Sequence, residues 1–431
     1  MMIIQEKYRK IILTAICAEI SIVIPSSSCF ADYFIITPQL TCGDSAARLQ
    51  EWEHDAALGK AAALNNLGFV YELGCGVKPD AEHAREYFER AADKGDAQAE
   101  HNLGSLYYNG IGVAQNSALA FAWYTKAAAK GFAQSESSLA VMYQIGQGVG
   151  KDPVRAAELL RQAANQGFAL AQYQLGAAYD IGEGVGRDYA QAMIWYQKAA
   201  AQNDPTALAA IGYLYEYARG VPQDFTAAMQ WYRASAAAGS PIGENNLGGL
   251  YESGKGVAPD AAQAAIWYAK AAAQGLPAAN VNLGGLYATG QGVPQDYRRA
   301  TEFFSTAARS GDASGEFYLG SAYLTGKGVG QDYALARHWL EKSSDQNNPR
   351  AQYDLGVVYL SGMGTEKNVE KAINLFKQSA DRGDSDAQNE LGVIFEYGVG
   401  VGKDRATAIM FYKKAADGGN IKAKEALKRL L

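Results

Sequence analysis

Residues 279–311 read ANVNLGGLYATGQGVPQDYRRATEFFSTAARSG, and the Leu-Gly pair inside this stretch recurs along the chain at a fixed spacing. Leu139-Ala140 and Ile211-Gly212 stand where two of the pairs are missing, so ten copies follow one another with a period of 36 residues. The Leu-Gly pairs themselves begin at residues 67, 103, 175, 247, 283, 319, 355 and 391. A period of this length indicates an array of identical supersecondary units.

Each copy contains two stretches with helical periodicity. In the copy around Leu247, Leu247 and Tyr251 lie on one stripe, and Trp267 and Tyr268 belong to a second amphipathic stretch. Glycines between the two stretches are suited to end the first helix and turn the chain. An Asp or Asn precedes every second stretch and can cap that helix, at Asp80, Asn116, Asp152, Asp188, Asp224, Asp260, Asp296, Asp332, Asn368 and Asp404.

The repeat pattern predicts an all-α fold, a right-handed α/α superhelical solenoid of ten 36-residue helix pairs with a half-repeat cap at each end. Residues 32–59 contain the N-terminal capping helix, residues 60–419 the ten repeats, and residues 420–431 the C-terminal capping helix. Such caps cover the last apolar faces of a stacked array. The expected number of helices is about 22, one for each cap and two for each repeat.

The unit AxxxLGxLYxxGxGVxxDxxxAxxWYxKAAxxG resembles the Sel-one-like repeat family, a relative of the tetratricopeptide repeat. The resemblance covers about residues 44–431, and the copy at 279–311 matches the pattern nearly position for position. The resemblance implies an α/α solenoid that holds partner proteins on a concave groove. Exported bacterial members resemble assembly factors for the envelope or for exopolysaccharide, regulators of sensor proteins, or host-interaction factors, and the fold does not choose among them.

The N-terminus has the pattern of a secretory signal peptide over residues 1–31. Three basic residues precede an apolar segment from Ile11 to Ile24, and Cys29-Phe30-Ala31 forms the expected cleavage triplet. An uncleaved membrane anchor is the alternative, but this segment is shorter than the roughly 20 residues that span a bilayer. We therefore expect an exported protein, periplasmic or secreted, without a stable membrane span after the signal is removed.

Composition and motifs argue against nucleic-acid binding and against catalysis. The net charge is −6, the pI is about 5.5, and no lysine- or arginine-rich run occurs. The sequence lacks SxxK, GxSxG, HExxH and CxxC, and its four histidines do not have metal-ligand spacing. The glycines of GLYESGKGV at 249–257 resemble a phosphate-binding loop, but they fall on turn positions of the repeat. We expect no enzymatic activity, no metal and no cofactor.

Two cysteines stay after signal removal, Cys42 and Cys75. In repeat register both belong to the loops between helices, on the same edge of neighbouring units. Adjacent loops can bring two Cα atoms within the roughly 7 Å that a disulfide requires. A Cys42–Cys75 disulfide that holds the N-terminal cap in an oxidising compartment is one interpretation, and two unpaired cysteines are the other.

The first helix of each pair is expected to line the groove. Counting from the Leu of Leu-Gly as position 0, positions −2, +2, +5 and +6 should face a partner, and they are rich in aromatic rings and carboxylates. The predicted centre lies between residues 173 and 252; the alternative for any one tyrosine is packing between helices. The candidate groove residues are Tyr173, Asp180, Tyr213, Glu216, Tyr217, Asn245, Glu252, Phe317, Tyr353, Glu396 and Tyr397.

These observations predict an exported, non-enzymatic scaffold that binds partner proteins on its groove. A carboxylate row favours a partner with a basic, extended segment. An envelope or exopolysaccharide assembly factor that contacts glycans is the first alternative. A cell-wall or β-lactam hydrolase-like enzyme is the second, and no motif supports it.

Overall fold

A computed structural model of the chain describes the backbone from Cys42 to Leu431 and the side chains from Arg48 onward. This part of the chain forms 22 helices and no strand, which confirms the predicted solenoid of helix pairs. The chain divides into two units, one that ends at Gln223 and one that runs from Asp224 to Leu431. The signal-peptide prediction for residues 1–31 lies outside the described residues.

The first unit contains one capping helix and the helices of the first four repeats, followed by the first helix of the fifth. Within it, consecutive helices pack against one another. Its helices are α1 (Cys42–Ala57), α2 (Ala61–Leu73), α3 (Ala81–Ala92), α4 (Ala97–Asn109), α5 (Ser117–Ala129), α6 (Ala133–Ile145), α7 (Pro153–Asn165), α8 (Ala169–Ile181), α9 (Tyr189–Ala200) and α10 (Pro205–Glu216). Trp52 and Ala56 of the capping helix are buried, as expected of a half-repeat that covers the first apolar face.

The second unit begins with the second helix of the fifth repeat and ends with a short capping helix. Ala423 of that last helix is buried in the core cluster around Tyr412. The helices are α11 (Phe225–Ala237), α12 (Pro241–Ser253), α13 (Ala261–Ala273), α14 (Pro277–Thr289), α15 (Tyr297–Arg309), α16 (Ala313–Thr325), α17 (Tyr333–Asp345), α18 (Pro349–Ser361), α19 (Val369–Asp381), α20 (Ser385–Tyr397), α21 (Arg405–Asp417) and α22 (Ile421–Leu430).

The glycine of Leu-Gly lets the two helices of a repeat approach closely. A Cβ built on Gly104 would lie 2.6 Å from ring atoms of Tyr124, and one on Gly284 would lie 2.6 Å from Phe304. The ring stands 21 residues after the Leu of Leu-Gly, and we call this the ring position. In the third repeat Ala140 replaces the glycine, and Leu160 occupies the ring position in the same core cluster. A smaller partner side chain thus accompanies the added methyl group.

The turn inside each repeat depends on backbone with positive φ. Gly290 ends α14 at φ 75°, and Gly292 follows at φ 70°. A Cβ on Gly292 would lie 2.2 Å from the backbone of Ala261 in the preceding repeat, so the turn also packs on its neighbour. Ala218 takes the place of a turn glycine at φ 55°, and Asn203 and Asn347 adopt φ 60° and 64° where other repeats have glycine. Asn tolerates this region, as expected.

Two sets of polar contacts complete each repeat. The predicted Asp and Asn caps are present on every second helix, where the side chain accepts from free backbone N–H groups. At the end of the second helix, Lys130 Nζ donates to Glu100 Oε1 at 2.8 Å and to the carbonyl of Gly95 in the preceding repeat at 3.0 Å. Gln202 and Gln346 make the same pair of contacts in their repeats. This contact ties each of these repeats to the one before it.

The neighbouring glycines of α14 test the role of the close approach. We expect Gly284→Ala to lower the free energy of unfolding by about 1–3 kcal/mol, because the methyl group overlaps Phe304. Gly285→Ala is the matched control: a Cβ there meets nothing within 4 Å, so the better helix propensity of Ala should stabilise by up to about 1 kcal/mol. Urea unfolding of both variants measures the difference, and equal effects would contradict the explanation.

Candidate functional site

The predicted groove residues fall into a buried and an open group. We call the side chains of the first helices at positions −2, −1, +2, +5 and +6 the first-helix face. In the first unit, Tyr173, Asp180, Tyr213 and Glu216 are 3%, 1%, 5% and 8% exposed, so they are packed in the protein. Tyr217 is the open member, at 38%. The dense mixture of aromatic and acidic residues in this region therefore offers little free surface, contrary to the expectation from the sequence.

The second unit keeps more of its predicted residues open. Tyr397 is 51% exposed and Glu252 is exposed. The remaining members are half-buried: Asn245, Phe317, Tyr353 and Glu396. The predicted centre, residues 173 to 252, includes residues of both units.

Several carboxylates of the predicted row accept hydrogen bonds from tyrosine hydroxyls inside the protein. Tyr268 Oη donates to Glu252 Oε2 at 2.6 Å, and Tyr412 Oη donates to Glu396 Oε2 at 2.7 Å. In the fourth repeat Tyr196 Oη lies 3.5 Å from Asp180 Oδ2. Each tyrosine occupies the ring position of the same repeat, where a buried hydroxyl needs a partner. We call position +5 the carboxylate position.

The sequence contained a signal for this pairing that the groove prediction did not use. In three repeats with Phe or Leu at the ring position, at Phe304, Leu340 and Phe376, the carboxylate position holds an apolar residue. Those apolar residues are Ala288, Leu324 and Leu360. Two repeats differ, with Glu72 in the repeat of Phe88 and Gln144 in the repeat of Leu160. In the repeats of Tyr196, Tyr268 and Tyr412, hydrogen bonding within the repeat therefore explains the carboxylate, and its presence alone does not indicate a partner.

Two of these carboxylates also contact an arginine, one from the following repeat and one from the C-terminal capping helix. Arg219 Nη1 lies 2.9 Å from Asp180 Oδ1 and its guanidinium stacks 4.8 Å from the ring centre of Tyr213. Arg429 Nη2 lies 2.5 Å from Glu396 Oε1. A guanidinium that donates to a carboxylate forms a charge-assisted hydrogen bond. The negative charge at these two positions is thus largely neutralised within the chain.

An aromatic and acidic patch lies on α16, α18 and α20 of the second unit. We define it as Phe317, Tyr318, Tyr353, Asp354 and Glu390, and all five are half-buried. The rings of Phe317 and Tyr318 are 5.0 Å apart. Three of these residues, Tyr318, Asp354 and Glu390, stand at position −1, which the sequence analysis did not assign to the groove.

The electrostatics of this patch are unusual for a partly open surface. Burial, with a smaller contribution from the charge of Asp384, raises the pKa of Asp354 from 3.8 to about 6. Burial likewise raises the pKa of Glu390, and burial together with Glu390 and neighbouring carboxylates raises the pKa of Tyr353 to about 12. The ionised form of such a carboxyl group is stabilised when a cation approaches.

Amides and hydroxyls join consecutive first helices across the same face. Asn102 Nδ2 donates to Asn65 Oδ1 at 2.9 Å, and Asn282 Nδ2 donates to Asn245 Oδ1 at 2.9 Å. Asn245, a predicted groove residue, is therefore partly engaged within the second unit. These contacts hold the spacing of the first helices and leave the acidic and aromatic side chains as the more available groups.

Cys75 is buried and disulfide-bonded. The side chain of Cys42, its predicted partner, lies outside the described residues, so the pairing stays a prediction. Within the described residues, no cluster of three or more His, Cys, Asp or Glu side chains is arranged to hold a metal. Over the same part of the chain, no helix has the length and apolar character needed to cross a membrane.

The repeat itself is the feature that known proteins share with this chain. The Sel1 repeat model matches ten consecutive segments: 61–96, 97–132, 133–168, 169–204, 205–240, 241–276, 277–312, 313–348, 349–384 and 385–420. The chain belongs to the Sel1 repeat family. Proteins built from Sel1 repeats are generally scaffolds for protein interactions, and their solenoid fold is typically non-catalytic.

Solved structures agree with this assignment. A protective antigen with an SLR fold from uropathogenic Escherichia coli is 32% identical, covers 89% of this chain and 90% of its own, and superposes with a TM-score of 0.53. A Sel1 repeat protein from Oxalobacter formigenes is 31% identical over 72% of this chain and 89% of its own, with a TM-score of 0.49. Among curated proteins, none matches the chain.

The raised pKa of Asp354 predicts a pH-dependent stability. A carboxyl whose pKa is higher in the folded state stabilises the fold below its unfolded pKa, and this stabilisation is lost as the pH rises through about 6. The free energy of unfolding of the wild-type chain should therefore fall between pH 4 and pH 7.5. We expect this fall to be smaller by about 1–2 kcal/mol in Asp354→Asn. Urea unfolding at both pH values measures it. Glu302→Gln, an exposed carboxylate on α15, is the control; an equal change in both variants would contradict the assignment.

Proposed function

We propose that this Sel1 repeat protein is an exported, non-enzymatic scaffold that binds partner proteins on the first-helix face of its second unit. The observation that carries the proposal is the patch on α16, α18 and α20, where half-buried aromatic rings adjoin carboxyl groups of raised pKa. Aromatic side chains offer a large contact area with little loss of conformational entropy, which suits a protein interface.

The charge balance around Tyr353 indicates the chemistry of the partner. Four carboxyl groups, Asp354, Asp384, Asp386 and Glu390, act on its hydroxyl. The basic groups that act on Asp354 and Glu390 are Arg350 and Lys422. Carboxyls outnumber bases here, so a segment that carries Lys or Arg is the complementary ligand. An extended segment could lie along successive first helices, because each contributes side chains to the patch.

Photo-crosslinking tests this site directly. A photoreactive phenylalanine analogue at position 318 should trap a partner in intact cells, whereas the same residue at position 297, an exposed tyrosine at the start of α15, should not. In the 318 background, Tyr353→Ala with Asp354→Asn and Glu390→Gln should reduce the trapped product at least tenfold. Circular dichroism checks that the variants are folded. Equal trapping from positions 318 and 297 would contradict the proposal.

Export is the second part of the proposal, and the disulfide at Cys75 supports it, because disulfides persist in oxidising compartments. Cys75 stands eight residues after the Leu of Leu-Gly, which we call the loop position. In other repeats this residue reaches the start of the preceding second helix: Gln147 Nε2 donates to Ser117 Oγ at 3.0 Å, and Lys255 lies 5.4 Å from the ring of Phe225. For Cys75 the corresponding segment is the start of α1, where Cys42 stands.

Mass spectrometry of the chain from the envelope fraction tests both points. We expect a mature N-terminus at Asp32 and a single disulfide that joins Cys42 to Cys75. Reduction should destabilise the N-terminal repeats by about 2–4 kcal/mol, because the unfolded chain loses a covalent constraint. Alkylation without reductant provides the control, and two labelled cysteines in the mature chain would refute the disulfide.

A glycan ligand is the second candidate, and the exposed ring of Tyr397 favours it. Arg429 Nη1 donates to Tyr397 Oη at 2.9 Å and holds the ring in place at the end of α20. Aromatic rings flanked by polar donors can accommodate sugar rings. Calorimetric titration with envelope saccharides distinguishes the candidates: heat that Tyr397→Ala abolishes would favour the glycan, and heat unchanged in this variant would not.

A further inference from the structure

Glu72, on α2 in the first repeat, stands at the carboxylate position. Its Oε2 atom is enclosed and has no hydrogen-bond partner among the residues that the structure describes. The residue as a whole is partly exposed, so the carboxyl group lies at the margin of the protein surface. A buried carboxylate oxygen without a partner is energetically unfavourable, and burial alone raises the pKa of Glu72 from 4.5 to about 7.

Three other carboxylates at the same register position have partners within the chain. Asp180 is contacted by Tyr196, 16 residues later, and by Arg219, 39 residues later. Glu396 receives the hydroxyl of Tyr412 and the guanidinium of Arg429. Glu252 receives the hydroxyl of Tyr268. The chain thus uses a hydroxyl from the same repeat and, twice, a guanidinium from a later part of the chain, 39 residues on at Arg219 and 33 residues on at Arg429.

Both kinds of donor are missing around Glu72. The residue 16 positions later is Phe88, which is fully buried and has no hydroxyl. The residue 39 positions later is Ile111, which packs against the core cluster that contains Phe88 and Leu103. The residue 33 positions later is Ser105, whose hydroxyl lies 3.1 Å from Tyr124 Oη. The first repeat therefore has the acceptor, Glu72, but neither of the two donors that contact the equivalent carboxylates Asp180 and Glu396.

The fold does not need a carboxylate here. Three repeats with Phe or Leu at the ring position have Ala288, Leu324 or Leu360 at the carboxylate position, and these repeats form the same helix pair. An apolar residue at position 72 would remove the cost of burying an unpaired charge. A glutamate at position 72 is understandable if another molecule supplies the hydrogen-bond donor.

We propose that Glu72 is a binding site for an arginine side chain of a partner protein, the group that Arg219 and Arg429 supply internally to Asp180 and Glu396. The inference rests on the proposed scaffold function and adds a second contact point, in the first unit. A guanidinium is the ligand because its charge-assisted hydrogen bond to a carboxylate is strong, and Arg219 and Arg429 each contact the carboxylate oxygen that the tyrosine hydroxyl does not. Both internal examples in this chain are guanidinium groups.

The test uses the blocked peptide acetyl-Gly-Arg-Gly-amide and the full-length chain with ¹³C-labelled glutamate. At neutral pH, the peptide should move the Glu72 carboxyl signal towards its ionised position. The peptide with Gln in place of Arg should not. Glu72→Gln should weaken peptide binding at least tenfold. Glu252→Gln removes a carboxylate that already has an internal partner, and it should leave peptide binding unchanged.

Two variants supply the missing donors from within the chain. Phe88→Tyr restores the hydroxyl found at Tyr196, and Ile111→Arg restores the guanidinium found at Arg219. In both, the Glu72 signal should stand near its ionised position without peptide, and Ile111→Arg should weaken peptide binding at least tenfold. If Ile111→Arg does not fold, Phe88→Tyr and Glu72→Gln still decide the question, because neither changes the volume of the site by more than an atom or two.

Equal binding of the Arg and Gln peptides, or undiminished binding to Glu72→Gln, would overturn the inference. Photo-crosslinking from position 318 separates this result from the scaffold proposal. Persistent trapping at 318 with no peptide effect at Glu72 would reject the arginine site alone. Loss of trapping at 318 with peptide binding intact at Glu72 would reject the patch on α16, α18 and α20 as the partner site and leave the arginine site standing.

Discussion

The close contact between a first-helix glycine and a ring on the following helix sets the distance between the two helices of a repeat. At Gly104 and Tyr124, as at Gly284 and Phe304, the space for a Cβ is occupied by the ring itself. The aromatic side chain fills the interior of the pair and is almost completely buried. Because helix spacing depends on this one contact, the repeats that carry it can vary most of their other positions without changing the fold.

The same ring position also determines the chemistry of the first-helix face. A tyrosine there brings a hydroxyl into the interior, and the hydroxyl requires an acceptor, which the carboxylate position supplies at Glu252 and Glu396. A phenylalanine there needs no acceptor, and Ala288 or Leu360 stands opposite. Several of the acidic residues that the sequence places on this face are therefore present as acceptors of internal hydrogen bonds. The carboxyls that remain for a ligand are those outside this pairing, such as Asp354, Glu390 and Glu72.

Reading the sequence by its period was reliable for the helices, the turns and the caps, because each depends on residues close together in the chain. Asp296 caps α15 by accepting from the backbone of Arg299, three residues away, and Gly290 ends α14 by its own φ. The candidate site was less predictable. Tyr173 and Asp180 were expected to be open, yet they are packed, because Arg219 and Tyr196 approach them from other helices. Tyr318, Asp354 and Glu390 were missed because the groove prediction did not include position −1.

The sequence by itself determined the family, the order of helices and the absence of recognisable catalytic motifs, since a 36-residue period and its capping and turn residues are visible without any structure. The frequent occurrence of a carboxylate and a tyrosine in the same repeat is also visible in the sequence, but only the structure shows that the two side chains are hydrogen-bonded. The tertiary structure decided which polar groups are already satisfied and which are left for a ligand. That distinction depends on contacts between residues 16 and 39 positions apart on different helices. Burial changes the free energy of a charge only when such packing excludes water from it.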